Sequence, residues 1–116
     1  MVHTYKDLTV WQKAIDLSVE IYGLTAQFPS EEKYGLSSQM RRAAVSIPSN
    51  IAEGRLRGSK KEYKQFLLIA FASGGELETQ IEIAKRLEKT KNLNYIKAES
   101  LLAEIMKMLN KIISQI

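Results

Sequence analysis

Four stretches of this chain repeat their apolar residues every three or four positions, and none alternates apolar with polar as a half-buried strand does. The first spans about residues 7–27, through Leu8, Trp11, Ile15, Ser18, Ile21 or Tyr22, and Thr25. Phe28-Pro29-Ser30 ends it, because the residue before a proline is pushed out of the helical region. The second begins within residues 32–36 and carries Leu36, Met40, Ala43, Ala44, Ile47 and Ile51 on one stripe, with Gly54 and Gly58 bracketing its end. Ser59 and Glu62 have the spacing of a capping box and open a third helix to about residue 89, through Tyr63, Leu67, Ala70, Leu77 and Ile81. Residues 90–94 read as a turn, and a fourth helix starts within residues 96–98 and runs through Leu102, Ile105 and Leu109 to the end. Long helices joined by short connections predict an all-α protein, an antiparallel up-down-up-down four-helix bundle in one domain of 116 residues.

Two segments carry more than a plain bundle needs. In the third helix, residues 66–72 hold no polar side chain for two turns, whereas a surface helix of a small bundle shows a polar face. The run predicts a homo-oligomer interface through Phe66, Leu68, Ile69, Phe71 and Gly75, and Ser73-Gly74-Gly75 predicts close helix approach there. The second helix is the reverse. Gln39, Arg42, Ser46, Asn50 and Glu53 fall on one polar stripe. Pro48 sits among them, removing one amide and crowding the carbonyl of Ala44. Two outcomes stay open at this point. Asn50 to Glu53 can start a fresh helix, making five, or Ser49 and Asn50 can satisfy the freed groups of one kinked helix.

The residues offer little for catalysis. Cysteine is absent, and the one histidine, His3, reads as a solvated end residue, so no thiolate zinc site, no Cys nucleophile and no Ser-His-Asp set can be assembled. Glu78 and Glu82 share a helix face, but solvation and an i,i+4 pair from Glu82 to Arg86 account for them. We expect no enzyme, no cofactor and no metal. Residues 1–7 have no apolar stretch of a secretory signal, and the longest apolar run is about half a bilayer span, so the expectation is a cytoplasmic chain without membrane contact.

Charge is where the sequence becomes specific. The chain carries 17 basic and 13 acidic residues. Between residues 37 and 64 seven are basic and two acidic, a local excess of five, so the remainder is slightly acidic. Arg55, Arg57, Lys60, Lys61 and Lys64 crowd one inter-helix turn and form the candidate nucleic-acid site, able to neutralise phosphates in a salt-dependent way. Arg41 and Arg42 point about 100° apart on the second helix, so at least one is expected to pair with Glu76 or Glu78 of the third. Trp11, Tyr22, Phe66 and Phe71 read as core residues rather than stacking platforms.

The run from Gln39 to Gly54, QMRRAAVSIPSNIAEG, closely resembles the signature of a bacterial family of four-helix-bundle proteins encoded within intervening sequences of 23S ribosomal RNA genes. Tyr5-Lys-Asp-Leu8, Val10-Trp-Gln-Lys-Ala14, Phe28-Pro29 followed by Tyr34-Gly-Leu36, residues 73–80 and Met108-Leu-Asn110 extend the likeness over essentially the whole chain. At Gly74 and Gly75 the family more usually has leucine and alanine. The resemblance implies one second helix kinked at Pro48 and a ring-shaped homopentamer. A related branch, the accessory protein of diversity-generating retroelements, forms a basic pentamer that binds nucleic acid and a reverse transcriptase. Two functions follow as expectations. One is a non-enzymatic homo-oligomer, pentameric by resemblance, that binds RNA or DNA backbone, with a reverse transcriptase or another protein as a further partner. The other is a protein-interaction scaffold presenting Gln39, Arg41, Arg42, Ser46, Asn50, Glu53 and Glu78, with no nucleic-acid affinity.

Overall fold

The computed structural model describes residues 4–116, and His3 lies outside them. A 3-10 turn at Tyr5–Asp7 leads into α1 (Thr9–Thr25). A second such turn at Ser30–Glu32 precedes α2 (Leu36–Leu56), followed by α3 (Lys60–Arg86) and α4 (Ile96–Gln115). Each helix lies antiparallel to its neighbours. Going forward along α1 its partners on α2 run backward: Ser18 meets Ala44 and Thr25 meets Arg41. Ser46 meets Ser73 across α2 and α3, and Lys85 meets Glu99 across α3 and α4. Lys13 with Glu104 closes α4 onto α1. The expected up-down-up-down bundle is therefore present, 45 Å long and little more than 20 Å across.

Local chemistry sets the ends. Ser59 Oγ accepts the Glu62 amide at 3.2 Å and caps α3, but the Glu62 carboxylate accepts from the Ser59 hydroxyl instead of reaching back to its amide, so only half of the expected capping box forms. Gly58 takes a φ of 82°, the left-handed conformation that lets the chain leave α2. Between α3 and α4, Thr90 donates to the Ala84 carbonyl at 2.6 Å and the Tyr95 hydroxyl to the Thr90 carbonyl at 2.7 Å. Burial there pushes the Tyr95 phenol above its ordinary pKa.

Leu17, Ile21, Met40, Ile47, Ile51, Leu67, Leu77, Ile105 and Leu109 fill the centre, each fully buried. On α1 the buried stripe differs from the one expected: Val10, Ala14, Leu17 and Leu24 join it, while Trp11 and Ile15 remain half-buried at its edge. Tyr22 is also no core residue, being 46% exposed.

At Pro48 the helix continues unbroken, which removes the five-helix alternative. Proline has no amide to give the Ala44 carbonyl four residues earlier. That carbonyl instead accepts from Ser18 Oγ of α1 at 3.2 Å; the one hydroxyl proton is shared with Ala14 at 3.0 Å, and Ser18 is buried. Asn50 does not serve the gap as expected: its Nδ2 donates to the Ser46 carbonyl and hydroxyl at 2.8 and 2.9 Å. A buried acceptor left unmet costs about 1–3 kcal/mol. Ser18→Ala is therefore expected to destabilise the bundle by about 1.5 kcal/mol in chemical denaturation. In a Pro48→Ala background, where an amide returns, the same change should cost less than about 0.5 kcal/mol. Equal costs in the two backgrounds refute the assignment.

The apolar run of α3 splits in two. Leu67 and Ala70 are buried, and Phe66 and Phe71 are half-buried against neighbouring side chains of the same chain. Leu68 and Ile69, each 48% exposed, and the exposed Ala72 remain for a partner. Of the two adjacent glycines, Gly74 packs against the Met106 thioether of α4, which would have to move to admit a side chain there, whereas Gly75 faces open space.

Candidate nucleic-acid interface

The α2–α3 turn gathers all five basic residues expected of it at one end of the bundle, every one exposed. They are not equivalent. Arg57 is engaged three ways: its Nη2 lies 2.8 Å from Glu53, its Nη1 lies 3.6 Å from Glu62, and its guanidinium sits 4.9 Å from the Phe66 ring centroid. Such exposed pairs add little stability. They do neutralise Arg57, so it is the least available cation of the group. Arg55 lies over the Tyr63 ring at 5.7 Å and has no carboxylate partner among the described residues. Lys60, Lys61 and Lys64 have no ion pair among the described residues. A shallow cleft of about 210 Å³ between Gly54, Arg55, Ser59, Lys60 and Tyr63 lies beside them.

Other lysines show what pairing looks like in this protein. Lys85 lies 2.9 Å from Glu99, and Lys89 reaches Glu31; these carboxylates hold both ammoniums above the usual lysine range. The lysines heading α3 stand in contrast, and at a cost. Lys60 and Lys64 repel at i,i+4, and positive charge opposes the dipole at a helix N-terminus. Glu62 in the same turn offsets part of it.

Arg41 and Arg42 depart from expectation. Neither pairs with Glu76 or Glu78, and Glu78 is exposed without an ion pair among the described residues. Arg41 turns to α1 instead, its Nε donating to Thr25 Oγ1 at 2.8 Å and its Nη2 to the Tyr22 carbonyl at 3.4 Å, with the guanidinium 4.5 Å from the Tyr22 ring centroid. The reason is geometric: facing Tyr22 and Thr25, Arg41 has its hydrogen bonds met on α1. The polar stripe of α2 is likewise partly consumed inside the protein. Ser46 and Ser73 hydroxyls share a hydrogen bond at 2.8 Å and Asn50 ties onto Ser46, leaving Gln39, Arg42 and Glu53 exposed.

A second basic feature was not legible in the sequence. Lys33 and Tyr34, in the α1–α2 connection, join Tyr22, Ser38, Arg41, Arg42 and Val45 around a groove of about 570 Å³. Its members come from three segments, and the one local signal, a tyrosine directly after a lysine, is too common to have marked it. Among the described residues no cluster of His, Asp or Glu is arranged to hold a metal ion, and no helix is long and apolar enough to cross a membrane.

Residues 6–111 match the family model described as 23S rRNA-intervening sequence protein. Among solved structures, a protein of unknown function from the S23 ribosomal protein family of Bacteroides thetaiotaomicron aligns with a TM-score of 0.77 and 29% identity, over 90% of this chain and 95% of that one. None of the curated proteins matches. Neither matching description names an enzymatic activity. With the model covering nearly every residue, and the motif from Gln39 to Gly54 folded as one continuous helix of a four-helix bundle, this chain belongs to the 23S rRNA-intervening sequence protein family.

Proposed function

We propose that this protein is a non-enzymatic homo-oligomer that binds the backbone of RNA or DNA through the α2–α3 turn. The observation that carries the reading is the set of three unpaired lysines, Lys60, Lys61 and Lys64, beside Arg55 at one end of the bundle. Phosphates would supply the partner charge that no carboxylate of the chain does. Backbone binding of this kind weakens steeply with salt and is nearly indifferent to sequence. Filter binding of one labelled RNA and one labelled DNA at about 50 and 200 mM salt tests it. Affinity that ignores salt, or no binding at either concentration, refutes it. A protein partner that is recovered in the absence of nucleic-acid affinity, and lost on changing Gln39 or Arg42, would favour the scaffold.

Oligomerisation is supported by α3. Leu68, Ile69, Ala72, Gly75, Thr79 and Ile83 share one outward face, with Ile83 46% exposed and Leu68 and Ile69 as given above. A pentameric ring, the assembly that the resemblance implies, would repeat the basic end once per copy and multiply its field. Light scattering is expected to give about five times the 13.2 kDa of one chain. Leu68→Glu with Ile69→Glu should give one chain's mass without loss of helicity, because neither side chain is in the core. A monomeric wild type at micromolar concentration overturns this part.

A further inference from the structure

The groove at the opposite half of α2 differs in kind from the lysine end. Lys33, Arg41 and Arg42 supply three cations and no Asp or Glu lines it. Two phenol rings flank those cations. Tyr34 is 88% exposed with the Lys33 ammonium 5.5 Å from its ring centroid, and Tyr22 lies under the Arg41 guanidinium. Arg41 is held by Thr25 and the Tyr22 carbonyl, so its position is set before any ligand arrives. Arg42 is exposed and unpaired among the described residues.

We propose that this groove takes an unpaired nucleotide of a single-stranded nucleic acid, with a base on Tyr34 and its phosphate between Arg42 and Lys33. The inference rests on the nucleic-acid reading above and specifies it: the ligand is a single strand rather than a duplex. Ring faces decide the ligand class. An acidic peptide has a use for the three cations but none for two exposed rings, whereas every unpaired base has a face to stack, and duplex bases are already stacked on one another. The volume of about 570 Å³ suits a ligand of nucleotide size. Arg42 and Arg55 lie on one helix about 20 Å apart along its axis, a span that a few extended nucleotides cover, so one strand can touch both sites.

The test uses fluorescence anisotropy of the full chain with a fluorescein-labelled ten-nucleotide oligothymidylate, a labelled duplex of equal length, and polyglutamate. Stacking on one tyrosine is worth about a tenfold change in affinity. The ratio of single-strand to duplex affinity should therefore fall about tenfold in Tyr34→Ala, hold in Tyr34→Phe, and fall in Arg42→Ala. An unchanged ratio in Tyr34→Ala overturns the proposal, and its exposure makes misfolding no explanation. Polyglutamate binding that needs Arg42 but ignores Tyr34, with no oligothymidylate binding, also overturns it and reassigns the groove to an acidic protein. The two readings fail separately. A Lys60, Lys61 and Lys64 reversal that leaves both affinities intact removes the lysine end as the interface, while the Tyr34 ratio still decides the groove.

Discussion

Substituting valine for Gly54 is expected to destabilise the bundle by about 3 kcal/mol, lowering the thermal midpoint by about 10 °C. Gly54 is buried in the last turn of α2, where α2 and α3 come together. A Cβ added there would lie 2.7 Å from Phe66 Cβ and 3.3 Å from the Tyr63 carbonyl oxygen. Those atoms cannot swing aside, because one is at the root of its side chain and the other is backbone. Relief requires the helices to separate, which opens voids along their shared face and unseats Phe66. Gly23→Ala is the control: nothing lies within 4 Å of a Cβ added there, so replacing this glycine inside α1 should stabilise by up to about 1 kcal/mol. Circular dichroism melts at one protein concentration measure both. A Gly54→Val protein that melts with the wild type would mean that α2 and α3 do not approach as described.

Reversing Lys60, Lys61 and Lys64 to glutamate should have the largest functional effect. Each lysine that meets a phosphate contributes about one unit to the slope of log affinity against log salt, so the slope should flatten by about three per engaged subunit. At about 50 mM salt this corresponds to a loss of at least about 100-fold, because three attractions become repulsions. All three side chains are exposed, and fold stability should change little. Lys89, Lys91 and Lys97 at the far end provide the matched control, with the same change in net charge. Their exposed pairs with Glu31, Glu88 and Glu20 contribute little stability. If both triple variants weaken binding equally, net charge or the far-end groove, rather than this site, holds the nucleic acid, and the proposed interface falls.

The two glycines at the end of α2 illustrate what is readable from a chain and what is not. Gly58 is where a sequence reading puts a helix-ending glycine, and its positive φ agrees, since the reason is local. Gly54 carries the same letter four residues earlier, yet it is a helix-interior residue kept small by Phe66, a contact between different helices. Pro48 follows the same logic. That it deprives Ala44 of a donor is a matter of covalent structure, but which side chain fills the vacancy depends on α1 lying antiparallel alongside, with Ser18 at that height. The misassigned arginines have the same origin: helical spacing says that Arg41 and Arg42 diverge, while only the packing turns Arg41 to Thr25 and Tyr22.

By itself the sequence determined four helical segments, the second left open to a break at Pro48, their limits to within a few residues, their antiparallel order and the clustering of positive charge at one turn. All of these follow from short-range periodicity, capping chemistry and short connections, which act between near neighbours along the chain. The tertiary structure decided which cations stay free, which half of the apolar α3 run is left for a partner, and that Lys33, Tyr34, Tyr22 and Arg42 line one groove. Those outcomes depend on distances between residues far apart in the chain, and such distances exist only once the helices have packed.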